Sequence, residues 1–258
     1  MGIYQHFRTE EHPFIDQVIS WKNNVEKMYQ HRLTDFLDPR EQQIVESIIG
    51  KTNDELQLKF HGGGKFTERN RAIIAPFYED LSEENFQLTL LEASFNEKFI
   101  SIAHPDVMGA FLSLGIDRSK FGDIFVSEGK LQIVVASEIV QYVIANLTSI
   151  KNANITLSET SLKNLDEQEL HWLESDIIVS SLRLDVVLSG IYNMSRKDAA
   201  LYLKKKQVKV NFKLVENGTF ELVEGDLISV RRKGRSKLVK INGGTRKGKL
   251  RITTAILK

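Results

Sequence analysis

The chain has no cysteine, and no apolar run reaches the roughly 18 residues that a membrane-spanning helix needs. The first absence excludes disulfides, thiol catalysis and thiolate metal sites. The second, with an N-terminus, MGIYQHFRTEEH, that lacks a basic-then-apolar leader, predicts a cytoplasmic protein without a membrane span. No internal repeat of roughly 20 to 50 residues is present. Signatures of metal and nucleotide chemistry are missing as well. His6, His12, His31, His61, His104 and His171 are scattered, with no His-Glu-x-x-His pattern, and read as surface or capping residues, so neither a metal nor a cofactor is expected. The loop His61-Gly62-Gly63-Gly64-Lys65-Phe66-Thr67 comes nearest to a phosphate cradle. A P-loop needs a hydroxyl directly after the lysine, at the start of a helix, and Phe66 occupies that place, so a flexible or RNA-contacting loop is the better reading.

What the chain does have is charge, sorted by position. Its 35 Lys and Arg against 34 Asp and Glu give a net charge of +1 over 258 residues. Residues 1 to 179 carry 16 basic against 28 acidic residues, a balance of −12, while residues 180 to 258 carry 19 against 6, a balance of +13. Such segregation points to a basic end built for a polyanion and an acidic body that does not bind it indiscriminately.

Periodicity predicts an α+β chain in four parts. Phe14, Val18, Trp21 and Val25 share one helical face, and Asp38-Pro39 opens a second helix that buries Ile44, Val45, Ile48 and Ile49 and stops at Gly50. A helical subdomain is therefore expected over residues 1–54. Residues 55–160 are expected to form a ferredoxin-like unit, similar to RNA-recognition folds, after two short strands at 56–60 and 71–75. Its β-α-β-β-α-β order comes from a strand at 86–91, a helix at 105–114, a hairpin of 123–126 and 131–135 about Glu128-Gly129, a helix at 137–147 capped by Ser137, and a last strand at 154–157. Residues 161–180, with Asp166-Glu167-Gln168-Glu169, read as an acidic connector, and residues 181–258 as a small basic domain ending in a hairpin.

In that basic part Leu184, Val187, Leu188 and Ile191 form the stripe of an amphipathic helix. Asn193-Met194 breaks it, and Ser195 with Asp198 starts the next helix in a capping-box arrangement. Val208, Val210 and Phe212 alternate with Lys209, Asn211 and Lys213, and a strand at 227–230 follows the turn Glu224-Gly225-Asp226. The pieces Arg183-Leu184-Asp185, Ser195-Arg196-Lys197-Asp198-Ala199, Val208-Lys209-Val210-Asn211 and Glu224-Gly225-Asp226 stand in the order and spacing of the alpha-L RNA-binding module, which this region resembles over about 60 residues. It departs from the usual pattern at Lys206 and Phe212, where glycines are common. Lys206 adds charge, and Phe212 supplies an aromatic able to pack or to stack on a base.

The resemblance implies an RNA surface at Arg183, Ser195, Arg196 and Lys197, with Lys204, Lys205, Lys206, Lys209, Asn211, Lys213, Arg231, Arg232 and Arg235 adding to the electropositive side. Asp185 is expected to orient Arg183 or the neighbouring helix. Arg118 and Lys120, in Leu114-Gly115-Ile116-Asp117-Arg118-Ser119-Lys120-Phe121-Gly122-Asp123-Ile124, are a candidate second contact. That segment, the N-terminal helices and the C-terminal place of the module together are similar to the bacterial YlmH family over nearly the whole length. The likeness implies a noncatalytic RNA-binding protein, linked by genome context to cell division and associated with the large ribosomal subunit carrying stalled peptidyl-tRNA, with rRNA and tRNA as partners.

Modules of this kind also accompany enzymes. A pseudouridine synthase would need a catalytic domain after the module, and only about 20 residues follow Arg235. A tyrosyl-tRNA synthetase would show His-Ile-Gly-His or Lys-Met-Ser-Lys-Ser, which residues 1 to 179 lack, and a methyltransferase would want a Gly-rich turn between strand and helix. The open alternatives are an RNA-modifying or RNA-processing enzyme with an unrecognised site in residues 50–160, and a scaffold for a cell-division protein.

Overall fold

Asp38 and Pro39 open a helix for the reason their types predict. The Asp38 carboxylate accepts hydrogen bonds from the amides of Arg40 and Glu41, each at 2.9 Å, and a proline at the first position has no amide to leave unpaired. The structure, a computed structural model, describes residues 3–50, 55–97, 100–127, 129–166, 170–245 and 248–257. The chain divides into two units, Met1–Gln168 and Glu169–Lys258.

The first unit begins with α1 (His12–Met28), β1 (Arg32–Leu37), α2 (Pro39–Ile49), β2 (Leu56–His61) and β3 (Asn70–Pro76). The strands form an antiparallel sheet in the order β1-β3-β2, and α1 and α2 bury Val18, Val25, Val45 and Ile49 against Leu37, Leu56, Leu58, Ala72 and Ile74. The expectation that residues 1–54 are helical is corrected by β1. A register shift between Leu33 and Phe36 interrupts its two-residue alternation, which hides the strand from a periodicity reading.

The rest of this unit runs β4 (Leu88–Ser94), α3 (His104–Ser113), β5 (Phe121–Ser127), β6 (Lys130–Ala136), α4 (Val140–Asn146), β7 (Ser149–Ile150), β8 (Ala153–Asn154) and β9 (Ser158–Thr160). Its four-stranded sheet has the order β5-β6-β4-β9, antiparallel throughout. Gly129 turns the β5–β6 hairpin at φ 73, and Glu128 lies outside the described residues. The expected last strand at 154–157 is displaced: Ile155 and Leu157 drop into the core beneath the helices, and β9 is the edge. Ser137 does not cap its helix; its hydroxyl pairs with that of Thr89 at 2.9 Å. One sheet face packs on α3 and α4 through Leu91, Leu131, Ile133, Val135, Phe111 and Val143. The opposite face is covered too, Leu90, Val134 and Ala136 lying under Phe36, Leu162 and Leu165.

The second unit comprises β10 (Trp172–Val179), α5 (Leu184–Ile191), α6 (Arg196–Lys204), β11 (Val208–Val210), β12 (Lys213–Leu214), β13 (Leu227–Val230), β14 (Gly234–Gly244) and β15 (Leu250–Leu257). They form one antiparallel sheet, β10-β15-β14-β13-β11-β12, with the helix pair on one face. Leu184, Val187, Leu188, Ala199 and Leu203 meet Val208, Val210, Ile228, Val230, Leu238 and Ile252 there, each buried branched side chain stabilising the unit by about 1.5–3 kcal/mol. The acidic connector expected at 161–180 is corrected at both ends. Residues 162–166 belong to the first unit, and Trp172–Val179 is an edge strand whose exposed Glu174 and Asp176 gave it the composition of a linker. Glu167, Gln168 and Glu169 lie outside the described residues. Among the described residues no helix is long and apolar enough to cross a membrane.

Candidate nucleic-acid interface

The sites expected to meet RNA resolve into distinct clusters on the second unit. The first is built on Asp185. Arg183 caps α5, and its guanidinium donates from Nε and Nη2 to the two carboxylate oxygens of Asp185, each at 3.1 Å. Arg196, first residue of α6, donates from Nη2 to Asp185 Oδ2 at 2.8 Å. The Asp185 side chain is 10% exposed, while those of Arg183 and Arg196 are 38% and 58% exposed. A buried acid thus holds two outward-facing guanidinium groups from two helices. Burial alone would push the Asp185 carboxyl up, but the hydrogen bonds and charge of the two arginines outweigh it and hold it below the ordinary carboxylate range. Gly218 makes room for this arrangement, since a Cβ there would lie 3.2 Å from Cβ of Asp185.

A second cluster forms at one end of the unit. Lys204 and Lys205 close α6, and the amide of Arg231 donates to the carbonyl of Gln207, which brings the turn of Arg231 and Arg232 beside Lys206. All five cations are exposed, and so is Lys233, which the sequence reading passed over although it continues the same basic run. Lys206 makes a surface ion pair with Glu216 at 3.3 Å. A third group lies on the sheet face away from the helices, where Lys209, Ser229 and Arg235 stand opposite one another across three strands. Lys237 follows two positions on, with Nζ 4.5 Å from the centroid of Trp172. Simple alternation from Arg235 would have found it. Lys213 is exposed beyond the turn that follows β11, at the far end from Lys206.

Four of the expected contacts are engaged by partners within the chain. Asn211 is buried: its amide donates to Asp226 Oδ1 at 2.8 Å and its carbonyl accepts from the amide of Leu227 at 2.9 Å, so it fastens the turn from inside. Ser195 is exposed, but its hydroxyl accepts from the Asp198 amide at 3.1 Å and donates to Asp198 Oδ2 at 2.6 Å, which commits it to capping α6. In the first unit, Arg118 is turned inward. It donates to the carbonyls of Phe121 and Gly122 and stacks over the Phe121 ring at 4.3 Å. Burial first, then Arg69, lowers its pKa to about 10. Lys120 bridges Asp35 of β1 at 2.8 Å and Glu138 at 2.9 Å. Arg118 is an internal tie, and Lys120 is a partly exposed bridge between two carboxylates.

The loop after β2 is not a P-loop, because no helix follows it to aim backbone amides at a phosphate. A Cβ at Gly62 would fall 2.4 Å from the carbonyl oxygen of Arg69, and β3 follows the loop, so the glycine answers to packing. Among the described residues no group of three or more His, Asp or Glu could hold a metal ion.

A family described as "Putative RNA-binding domain in YlmH" matches residues 82–164. The chain is 40% identical over 251 residues to the ribosome-associated protein quality control protein P2 of Bacillus subtilis, covering 97% of each. The chain belongs to the YlmH family of RNA-binding proteins. A solved member, the cell division protein YlmH from Streptococcus pneumoniae, superposes on this YlmH-family chain with a TM-score of 0.56 and 27% identity, over 64% of this chain and all of that one.

Proposed function

We propose that this protein is a noncatalytic RNA-binding factor of ribosome-associated quality control, which docks on structured RNA of the large ribosomal subunit carrying peptidyl-tRNA. The observation that carries the reading is the Asp185 clamp. It holds two solvent-facing guanidinium groups together on the helix pair, where their charge can meet phosphate, and the lysines at the end of α6 add positive charge to the same unit. Arg183, Arg196, Lys197, Lys204, Lys205, Lys206, Lys209, Lys213, Arg231, Arg232 and Arg235 form the proposed contact set, within which contacts to phosphate position the protein without reading sequence.

The helix pair on a small sheet supports reading the second unit as an alpha-L module, and the strand order β5-β6-β4-β9 supports the ferredoxin-like reading within residues 55–160, of which β2 and β3 pair with β1 in a separate sheet. The relative's association with the ribosome supports a cytoplasmic location. A link to cell division draws on the name of the Streptococcus pneumoniae relative, and the same docking on ribosomes accommodates it. The test is sedimentation of cell extract with gel shifts on ribosomal RNA and tRNA. Co-migration with free large subunits and salt-sensitive binding are expected. Migration only at the top of the gradient, or a cleaved or modified RNA product, would overturn the proposal.

A further inference from the structure

The region matched by the RNA-binding family model carries a four-stranded sheet, and RNA-recognition sheets of that kind stack bases on aromatic side chains across their open face. Here that face is occupied by the chain itself. Leu90, Val134 and Ala136 are fully buried beneath Phe36, Leu162 and Leu165, and Phe36 presses so closely on β5 that a Cβ at Gly122 would lie 2.7 Å from its ring. Further along the face, Gln132 donates to Glu92 and to the carbonyl of Asn164, each at 2.8 Å, and accepts from the amide of Asp166 at 2.8 Å. Lys130 closes over the same strands onto Glu92 and Asp166. Bases cannot stack there without unpacking the unit.

Beside this cover lies a cleft of about 420 Å³, lined by His61, Gly63, Gly64 and Lys65 of the loop after β2, by Glu83, and by Leu162, Lys163 and Leu165. It falls in the usual range for a ligand cleft, roughly 300–1,000 Å³, and holds one nucleotide better than a stack. Its wall is built. Gly63, at φ +98, packs so tightly that a Cβ would come within 3.2 Å of Leu162 and Val134. His61 sets its ring against Phe86, with centroids 5.4 Å apart, and its Nε2 is buried with no hydrogen-bond partner. Two lysines against one carboxylate make the cleft locally basic in a unit that is otherwise strongly acidic.

We infer that the first unit engages RNA by seating a single unstacked nucleotide in this cleft, its phosphate between Lys65 and Lys163, and not by stacking bases across its sheet. The inference rests on the RNA-binding reading above but can fail separately from it. The apolar surface of Leu162 and Leu165 offers one face to a base.

The experiment uses the full chain with tRNA and with ribosomal RNA fragments. Photo-crosslinked nucleotides are mapped by mass spectrometry, and RNA affinity is measured for the Lys65→Ala plus Lys163→Ala protein. Crosslinks in residues 61–65 or 162–165 are expected, together with a loss of roughly threefold to tenfold in affinity at fixed salt and an unchanged melting temperature. A second variant, Leu165→Trp, fills the cleft from its apolar side and should remove the crosslinks there. Crosslinks confined to the second unit, with unaltered affinity in the lysine variant, would overturn the cleft and leave the RNA reading standing. Crosslinks on the covered sheet face, at Leu90 of β4 or at Gln132 or Val134 of β6, would restore the sheet as the platform. No binding of either RNA would overturn both.

Discussion

Arg196 reaches back across eleven residues of sequence to Asp185, its Nη2 2.8 Å from the carboxylate. The same carboxylate is already forked by Arg183, so one buried charge fixes two that face outward. Asp185→Asn therefore makes a test in which two effects oppose each other. Counting charge, removal of an acid from a basic surface should tighten RNA binding. Geometry predicts the reverse, because the two guanidinium groups lose their common anchor and repel each other. RNA affinity is expected to fall severalfold, and the second unit to lose roughly 1.5–3 kcal/mol as hydrogen bonds to a charged group are weakened. Tighter filter binding at fixed salt would show that Asp185 does not position the arginines.

Lys206 and Phe212 both sit in the left-handed region, at φ 56 and φ 65, which is the physical reason that glycine is common at these places in the pattern. Asn211 and Phe212 form the two-residue connection between β11 and β12, where Val210 pairs with Lys213, and such a turn favours Asn-Gly. Phe212→Gly is expected to stabilise the protein by roughly 0.5–1 kcal/mol, read as a rise in denaturation midpoint. If the ring, 37% exposed, stacks on a base, the same change weakens RNA binding by about 1–3 kcal/mol. Gain in stability with unchanged affinity would assign Phe212 no part in RNA binding.

The lysines at the end of α6 and the arginines of the β13–β14 turn should act as point charges. Replacing Lys204, Lys205 and Arg231 one at a time is expected to lower the slope of log affinity against log salt by about one each, with the ranking of RNA sequences unaltered. A slope that stays at the wild-type value in all three variants would remove this end of the unit from the contact set.

Much of this was legible in the residues, and the misses have physical causes. The stripe from Leu184 to Ile191 and the alternation of Val208, Lys209 and Val210 reported helix and strand because each buries one regular face. Arg32–Leu37 escaped because a bulge breaks its period, and Trp172–Val179 because an edge strand with one solvated face has the composition of a linker. At the site, spacing placed Arg183, Asp185 and Arg196 in one motif but could not show that a single carboxylate joins them. Nor could it separate an exposed lysine from Lys120, whose partners at 35 and 138 are distant in sequence.

Arg118 and Lys120 should therefore report on folding and not on RNA. Arg118→Ala leaves the carbonyls of Phe121 and Gly122 without their donor and is expected to cost roughly 2–3 kcal/mol. Lys120→Met breaks a partly exposed bridge and should cost about 1 kcal/mol or less. RNA affinity of the folded variants is expected to stay within about twofold of the parent, since neither cation is free to meet phosphate. A large loss of affinity in a Lys120→Met protein of undiminished stability would return it to the interface.

Asp123 carries the clearest pH signature. Burial pushes its carboxyl up to about 6, against the opposing hydrogen bonds from the backbone of Glu68 and Arg69 and the charge of Arg118. Its folded pKa lies above the unfolded value of 3.8, so the folded state binds the proton more tightly. The stability this supplies is fully present below about pH 4 and is lost as pH rises through about 6, on the order of 3 kcal/mol in all. Asp123→Asn cannot titrate there. The melting temperature of the variant relative to the parent should climb from pH 4 to pH 6 and level off above it, and the carboxyl carbon of Asp123 should titrate with a midpoint near 6. A difference independent of pH over this range, or a midpoint near 4, would show that the carboxylate is solvated and that the packing of Arg118 and Arg69 around it is looser than described.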